Sequence, residues 1–355
     1  MPSDVVELTR RLVRIPSVSG SPGEAEVLGV LTGLFDDRYA IRTLTDADGA
    51  LRAVAVVPAV PTGPLLVFTG HVDVVPTGDP DLWASPPFSG DLVDGRVLGR
   101  GTTDMKGGVA AIVAALDAAP SGSAVGALFT VEEETGSRGA AEAATLLDGL
   151  DTGLLVVAEP TDGRVVRGHR GVTWLRVATD GVAAHGSTPH LGRNAVTGLT
   201  RVLDRAAAEG TGWDTLNVGT IAGGTAVNVV PDRAWAQVDL RTTDPRSDPS
   251  VWWREQPDLA SVETELSLPA VLLDPEDPEV VRLGIQPDDR VVGYFTDAAV
   301  LTGALGCDRV VLLGPGQTDL AHRRDESVAV EALRRAVEDY GELVVRWHAR
   351  DTADQ

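Results

Sequence analysis

The chain has 355 residues and a formal charge of −22 at pH 7, and that length exceeds what one hydrophobic core usually supports, so two domains are expected. The negative charge repels phosphate backbones and anionic headgroups, which argues against nucleic-acid and membrane partners, although an acidic surface also simply keeps a protein soluble. With 43% hydrophobic residues, 39 Gly and 22 Pro, the composition suits an α/β protein with many short turns and excludes a coiled coil.

Residues 4–15 and about 23–36 read as helices, the first capped by Ser3 or Asp4 and ended at Ile15-Pro16. No basic stretch followed by an apolar core opens the chain, and no apolar run reaches the roughly 18 residues of a membrane span, so a cytoplasmic location is expected. Strand-like runs follow at 52–57, 65–69, 125–131 and 154–158, with a Gly/Ala-rich helix at 107–119 between them. Strands alternating with helices, and polar motifs at the strand exits, point to an open α/β sheet that carries its site at the carboxyl ends.

The texture changes near Gly171. Val172–Thr179, 215–222, 226–242 and 260–271 read as strands, with helices at Asn194–Ala208 and near 249–255. This βαββαβ pattern describes an inserted α+β domain with helices on one sheet. The tail returns to α/β character, with Phe295–Gly303 helical, Arg309–Leu313 a strand and 326–349 a long amphipathic helix. The expected organisation is therefore a discontinuous domain, 1–170 and 273–355, interrupted by a smaller one at 171–272.

Five clusters carry chemistry. In GHVDVVP (70–76), His71 and Asp73 leave the strand that contains Leu65-Leu66-Val67-Phe68, and an imidazole with a carboxylate at a strand end can begin a metal site. In GRGTTDMKGG (99–108), Asp104 precedes a Gly pair and a helix; it can bridge two metals or merely cap that helix. Lys106 in the same motif is the single lysine of the chain, a usage that reads as coding bias and gives it little functional weight. Glu132, Glu133 and Glu134 end the strand at 125–131, where three adjacent acids repel one another unless solvent or cations neutralise them. Metal-assisted hydrolysis asks such neighbours to divide the labour, one coordinating and another taking a proton from water. Glu159 ends a further strand in AEPT, and His322 follows the glycine-rich loop GPGQTDLAHRRDE (314–326).

Cys307 is the only cysteine, so an intramolecular disulfide is impossible and a Cys-rich zinc ribbon is excluded. His71, Asp104, Glu134, Glu159 and His322 supply five nitrogen or oxygen ligands, a set that two ions about 3.5–4 Å apart and bridged by Asp104 would use completely. Asp73 then becomes the partner that accepts a hydrogen bond from the second ring nitrogen of His71 and fixes its tautomer.

These five motifs, in this order, resemble the co-catalytic zinc hydrolases that include acetylornithine deacetylase, succinyl-diaminopimelate desuccinylase and glutamate carboxypeptidase, over about residues 5–345. The resemblance implies an open, mostly parallel sheet with helices on both faces, plus an inserted lid or dimerisation domain. It assigns one divalent ion to His71, Asp104 and Glu159 and a second to Asp104, Glu134 and His322. It makes the metals zinc, with cobalt or manganese accepted by the same ligands. Glu133 matches the general base, and Gly136-Ser137, two residues beyond the ligand, set that register.

In the insert, His185 matches a histidine that helps polarise the scissile carbonyl, from the partner subunit in dimeric members. Asn228 and Arg241 match positions that orient substrate, the Arg by a bidentate grip on a carboxylate; a strand-end salt bridge is the alternative for Arg241. The implied reaction is hydrolysis of the amide bond of an N-acyl amino acid, with Glu133 moving the proton. Tyr294–Ala299 looks more like the corresponding segment of acetylornithine deacetylases than that of desuccinylases. An acetylornithine deacetylase-like deacylase is therefore expected first, and a desuccinylase, dipeptidase or carboxypeptidase next. A metal-stabilised binding protein without catalysis is disfavoured because no ligand or base is replaced.

Overall fold

The computed structural model describes residues 4–353, so Ser3, one of the two candidate caps, lies outside the described residues. Asp4 does cap the first helix, Val5–Val13, its side chain accepting a hydrogen bond from the Val6 amide. The chain divides into two compact units: Met1–Gly168 with Leu273–Arg290 and Thr296–Gln355, and His169–Leu272 with Val291–Phe295.

The first unit is built on a sheet whose inner strands are parallel. Leu65–His71 lies between Val125–Thr130 and Thr152–Val157, and Val310–Leu312 joins beyond the latter, all in parallel. Every residue of Leu65–His71, Val125–Thr130 and Thr152–Val157 is buried, as required when both faces are covered. The helices Val5–Val13, Gly107–Asp117 and Val330–Ala353 pack on one another, while Gly23–Thr32 and Ala140–Ala144 contact the strand Leu51–Pro58. The register sets His71 opposite Thr130 and Thr69 opposite Val157. The three strand ends therefore open at one edge, and the motif that follows each strand starts there.

The sheet is mixed, and its outer parts differ from expectation. Tyr39–Thr45 is an unforeseen strand, paired antiparallel to Leu51–Pro58. The turn between them was visible as Asp46-Ala47-Asp48-Gly49: the Asp46 carboxylate accepts the amides of Asp48 and Ala50, and Gly49 supplies φ +85. The second helix ends at Thr32, not 36, because Gly33 follows. The last helix begins at Val330, since Ser327–Ala329 pairs instead with Arg96–Leu98 in a small sheet.

The second unit is a four-stranded antiparallel sheet in the order 215–223, 233–242, 171–180, 261–268. Its helix Ala195–Glu209 buries Leu199 and Val202 with Leu175, Val177 and Leu240. The strand expected over 226–242 starts only at Arg233; Pro231 lacks the amide that a ladder needs. For the same reason the strand expected over 260–271 ends at Leu268, before Pro269.

Candidate metal centre

The parallel strand ends bring three of the five sequence motifs together, those of His71, Glu132–Glu134 and Glu159, and the turn before the helix Gly107–Asp117 and the loop before the last helix add Asp104 and His322. His71 Nε2 lies 3.2 Å from Asp104 Oδ1 and 3.6 Å from Glu159 Oε1. His322 Nε2 lies 3.2 Å from Asp104 Oδ2 and 2.9 Å from Glu134 Oε2. One Asp104 oxygen thus faces each histidine, and two triads of potential ligand atoms, each within 4.8 Å, share that carboxylate.

The backbone explains the convergence. Glycine is required where strands and loops close in: a Cβ at Gly108 or at Gly314 would come within 2.3 Å of the Ala158 carbonyl oxygen. The helix after Asp104 and the loop before His322 can therefore both lie against the segment that carries Glu159. His322 itself adopts φ +62, an uncommon conformation for a non-glycine residue.

The electrostatics call for cations. Glu133 and Glu159 are buried, and burial raises both carboxyls well above their ordinary value, with repulsion from Glu159 adding to the first and from Asp104 to the second. Glu134 is raised mainly by burial and then by Asp104. Burial alone would push the His71 imidazole down, yet hydrogen bonds to Asp104 and Asp73 carry it well above its usual value. His322 is raised to about 10 by its contacts with Asp104 and Glu134. Imidazole nitrogens and carboxylate oxygens, no thiolate, and an excess of buried acid fit two divalent cations.

Asp73 does more than the sequence reading gave it. The His71 Nδ1 donates to the Asp73 backbone carbonyl at 3.0 Å, with the Asp73 carboxylate at 3.4 Å. That arrangement leaves Nε2 facing Asp104. The Asp73 carboxylate also accepts the amides of Glu133 and Glu134, each at 3.2 Å, and the Ser19 hydroxyl at 2.7 Å. It therefore orients the turn that carries two of the acids as well as the histidine.

A family model described as peptidase family M20/M25/M40 matches residues 67–346. The chain belongs to that family. A succinyl-diaminopimelate desuccinylase of Cereibacter sphaeroides is 33% identical over 96% of this chain and 100% of its own length. A probable carboxypeptidase of Paracoccidioides brasiliensis is 31% identical over 96% of this chain and 85% of its own. Among solved structures, a metallo-carboxypeptidase of the M20 family from Sulfolobus solfataricus superposes with a TM-score of 0.76 at 18% identity, covering 98% of this chain and 100% of that one. A dinuclear metal-binding M20 peptidase of Bacillus subtilis does so at 0.71 and 17%, over 96% of each chain. As an M20 member the protein is a metal-dependent hydrolase of the amidohydrolase and peptidase kind.

The second unit of this M20 protein holds the other candidate residues. His185 is exposed, with Nδ1 2.8 Å from the Ser187 hydroxyl, and it forms an isolated bridge with Val229. Asn228 is beside it, its carbonyl accepting the Gly186 amide at 2.7 Å. Arg241 makes the strand-end salt bridge that was the alternative for it: its Nε and Nη2 hold Asp239 at 2.7 and 2.9 Å. Only Nη1 stays buried without a hydrogen-bond partner among the described residues, and the same is true of Arg170 Nε and His169 Nε2.

Sequence reasoning also passed over buried charges in the first unit. Lys106 is fully buried, its Nζ donating to the carbonyls of Leu12 and Ile15 at the end of the first helix. Burial lowers its amine to about 7. Asp297 is buried against Thr130, and burial raises it to about 6. Arg100 and Glu326 form a buried ion pair of 2.7 Å. Their signal was present, since both stand inside the matched motifs, but nothing in the spacing pairs residues so far apart.

Proposed function

We propose that this M20 protein hydrolyses the amide bond of a small N-acyl amino acid or short peptide that carries a free carboxylate, using two divalent metal ions. The observation that carries the reading is the Asp104 carboxylate shared between the His71–Glu159 and Glu134–His322 triads. His71, Asp104 and Glu159 would hold one ion, and Asp104, Glu134 and His322 the other. Zinc is the preferred metal, with cobalt or manganese compatible with the same donors. When bound, such ions supply Lewis acidity, making water acidic near neutral pH and polarising a carbonyl oxygen.

The chain's own residues supply the rest. Glu133, buried next to the triads and aligned by Asp73 through its own amide, takes the proton of the attacking water on its carboxylate and returns it to the leaving amine. Asp73 keeps His71 in the tautomer with a free Nε2. His185 donates to the carbonyl oxygen as negative charge develops there, and Asn228 orients the substrate. Arg241 would bind the substrate carboxylate through Nη1, the nitrogen that Asp239 leaves without a partner.

The segment Tyr294–Ala299 favours an acetyl-type acyl group. The names of the relatives favour succinyl-diaminopimelate or a peptide instead, so these are the competing substrates within one mechanism. A homodimer through the inserted unit is part of the reading: the strand Thr215–Gly223 is a sheet edge with Val218 and Ile221 exposed. A cytoplasmic location is part of it too, in keeping with a lone buried Cys307.

Metal-loaded protein should be assayed against N-acetylornithine, N-succinyl-diaminopimelate and a dipeptide panel. Release from at least one is expected, and the kcat/KM ranking decides among them; no amide cleavage of any would overturn the reading. Glu133→Gln should lower kcat by about 10²–10⁴-fold while both ions remain bound. Full turnover in that variant would remove Glu133 as the base.

A further inference from the structure

The ligands of the two triads are held in place by different means. His71 closes a strand and Glu159 follows one, and ladder-type hydrogen bonds continue past them: Val72 N donates to Thr130 O at 2.9 Å and Ala158 N to Thr69 O at 3.0 Å. His322 has no such support. It stands in a loop with its side chain 52% exposed and its backbone at φ +62, and it must still meet Asp104, more than two hundred residues earlier.

The buried Arg100–Glu326 pair makes that connection. Glu326 is fully buried; its Oε1 accepts the amides of Thr103 and Asp104 at 2.9 and 3.1 Å, and its Oε2 accepts Arg100 Nη1 at 2.7 Å. Arg100 in turn donates to the carbonyl of Arg323 at 3.1 Å, and to those of His322 and Pro76 at 3.4 Å. Its guanidinium sits over the Trp83 ring, 5.2 Å from the centroid. One ion pair thus ties the backbone of Asp104, the backbone of His322 and the end of the His71–Asp73 loop to a common point. A planar fork with several donors can do this, and an ammonium cannot.

We propose that Arg100 and Glu326 are positioning residues for the Asp104–Glu134–His322 metal site, setting the placement of His322 against Asp104 without touching ion or substrate. The inference rests on the two-metal reading above. It predicts an asymmetric defect: loosening this pair weakens chiefly the site that contains His322, which has no strand to hold it, and affects much less the one that contains His71 and Glu159, which the sheet also holds.

The test is a metal titration of chelator-treated full-length protein with Zn²⁺ and Co²⁺, followed by calorimetry and by the visible absorption of cobalt, for wild type, Glu326→Gln and Arg100→Lys. Wild type should bind two equivalents. In each variant one equivalent should keep its affinity within about 3-fold, and the other should weaken by about 10–100-fold, as for loss of a partner that orients a ligand. Arg100→Lys keeps the charge and a contact to Glu326, and so gives a folded protein should Glu326→Gln fail to yield one. Two unchanged equivalents, or two weakened equally alongside a lowered Tm, would overturn the inference alone. Fewer than two equivalents in wild type would overturn the two-metal reading with it.

Discussion

The two triads of the candidate metal centre share one carboxylate and otherwise differ in burial and in backbone support. The His71–Glu159 half is sealed, its histidine side chain 2% and its glutamate 4% exposed, and both ligands are fixed by parallel strands. In the other half Glu134 is also covered, at 6%, but His322 is 52% exposed and stands on a loop. A buried nitrogen and oxygen set that cannot relax should bind its ion tightly and exchange it slowly, while the open half can exchange its ion and adjust.

The largest effect should come from removing what the halves share. Asp104→Asn should abolish turnover and leave the protein unable to hold either ion firmly, as read by metal content after gel filtration; two retained equivalents would break the comparison at its root. Next, His71→Ala and His322→Ala should separate the halves. The first should lose the tighter equivalent and lower the stability of the loaded protein, and the second should lose only the weaker one. Identical isotherms for the two variants would show that the halves are not distinct.

Asp73→Asn should cost about 10–100-fold in metal affinity or activity, because it removes the negative charge beside the His71 ring and one of the two oxygens that hold the Glu133–Glu134 turn, while the backbone bond to His71 Nδ1 stays. Combined metal titration and kinetics would locate the loss: a fall in kcat with both ions still bound would place the main duty of Asp73 on the turn.

The smallest effect concerns pH. Burial raises Glu24 and Glu326 to about 7 and Asp297 to about 6. Folded protein then retains protons that unfolded chain releases between about pH 4.5 and 7, so stability contributed by these groups falls as pH rises through that window. Chelator-treated protein should show a Tm that declines from pH 4.5 to 7. Bound cations need deprotonated ligands and should offset the decline. A Tm rising over that range without metal would contradict these shifts.

The clustering of the five candidate ligands was legible in the sequence because each occupies the exit of an apolar run or a glycine-rich segment, where a polar residue has a reason to be, and the structure brings the five together. The parallel core was legible for the same reason, from uninterrupted runs such as Leu65–Phe68. The edge strand Tyr39–Thr45 was not, because its half-buried alternation gives a weak signal and only the turn at Asp46–Gly49 marks it. The Arg100–Glu326 pair, the amides held by Asp73 and the unpartnered donors at Arg170 and Arg241 were also hidden. These depend on which residues meet across the fold, and neither periodicity nor motif spacing records that. Arg241 shows the limit most clearly: its motif suggested a free fork, and the neighbour two positions away occupies most of it.

Lys106 is the single lysine of the chain, and it is buried beneath the segment that carries Asp104. The folded protein therefore offers no lysine side chain to acylating reagents, acetyltransferases or ubiquitin ligases. The rate at which Lys106 becomes reactive reports how often the backbone next to Asp104 opens, an intrinsic clock for local unfolding in the core of the first unit.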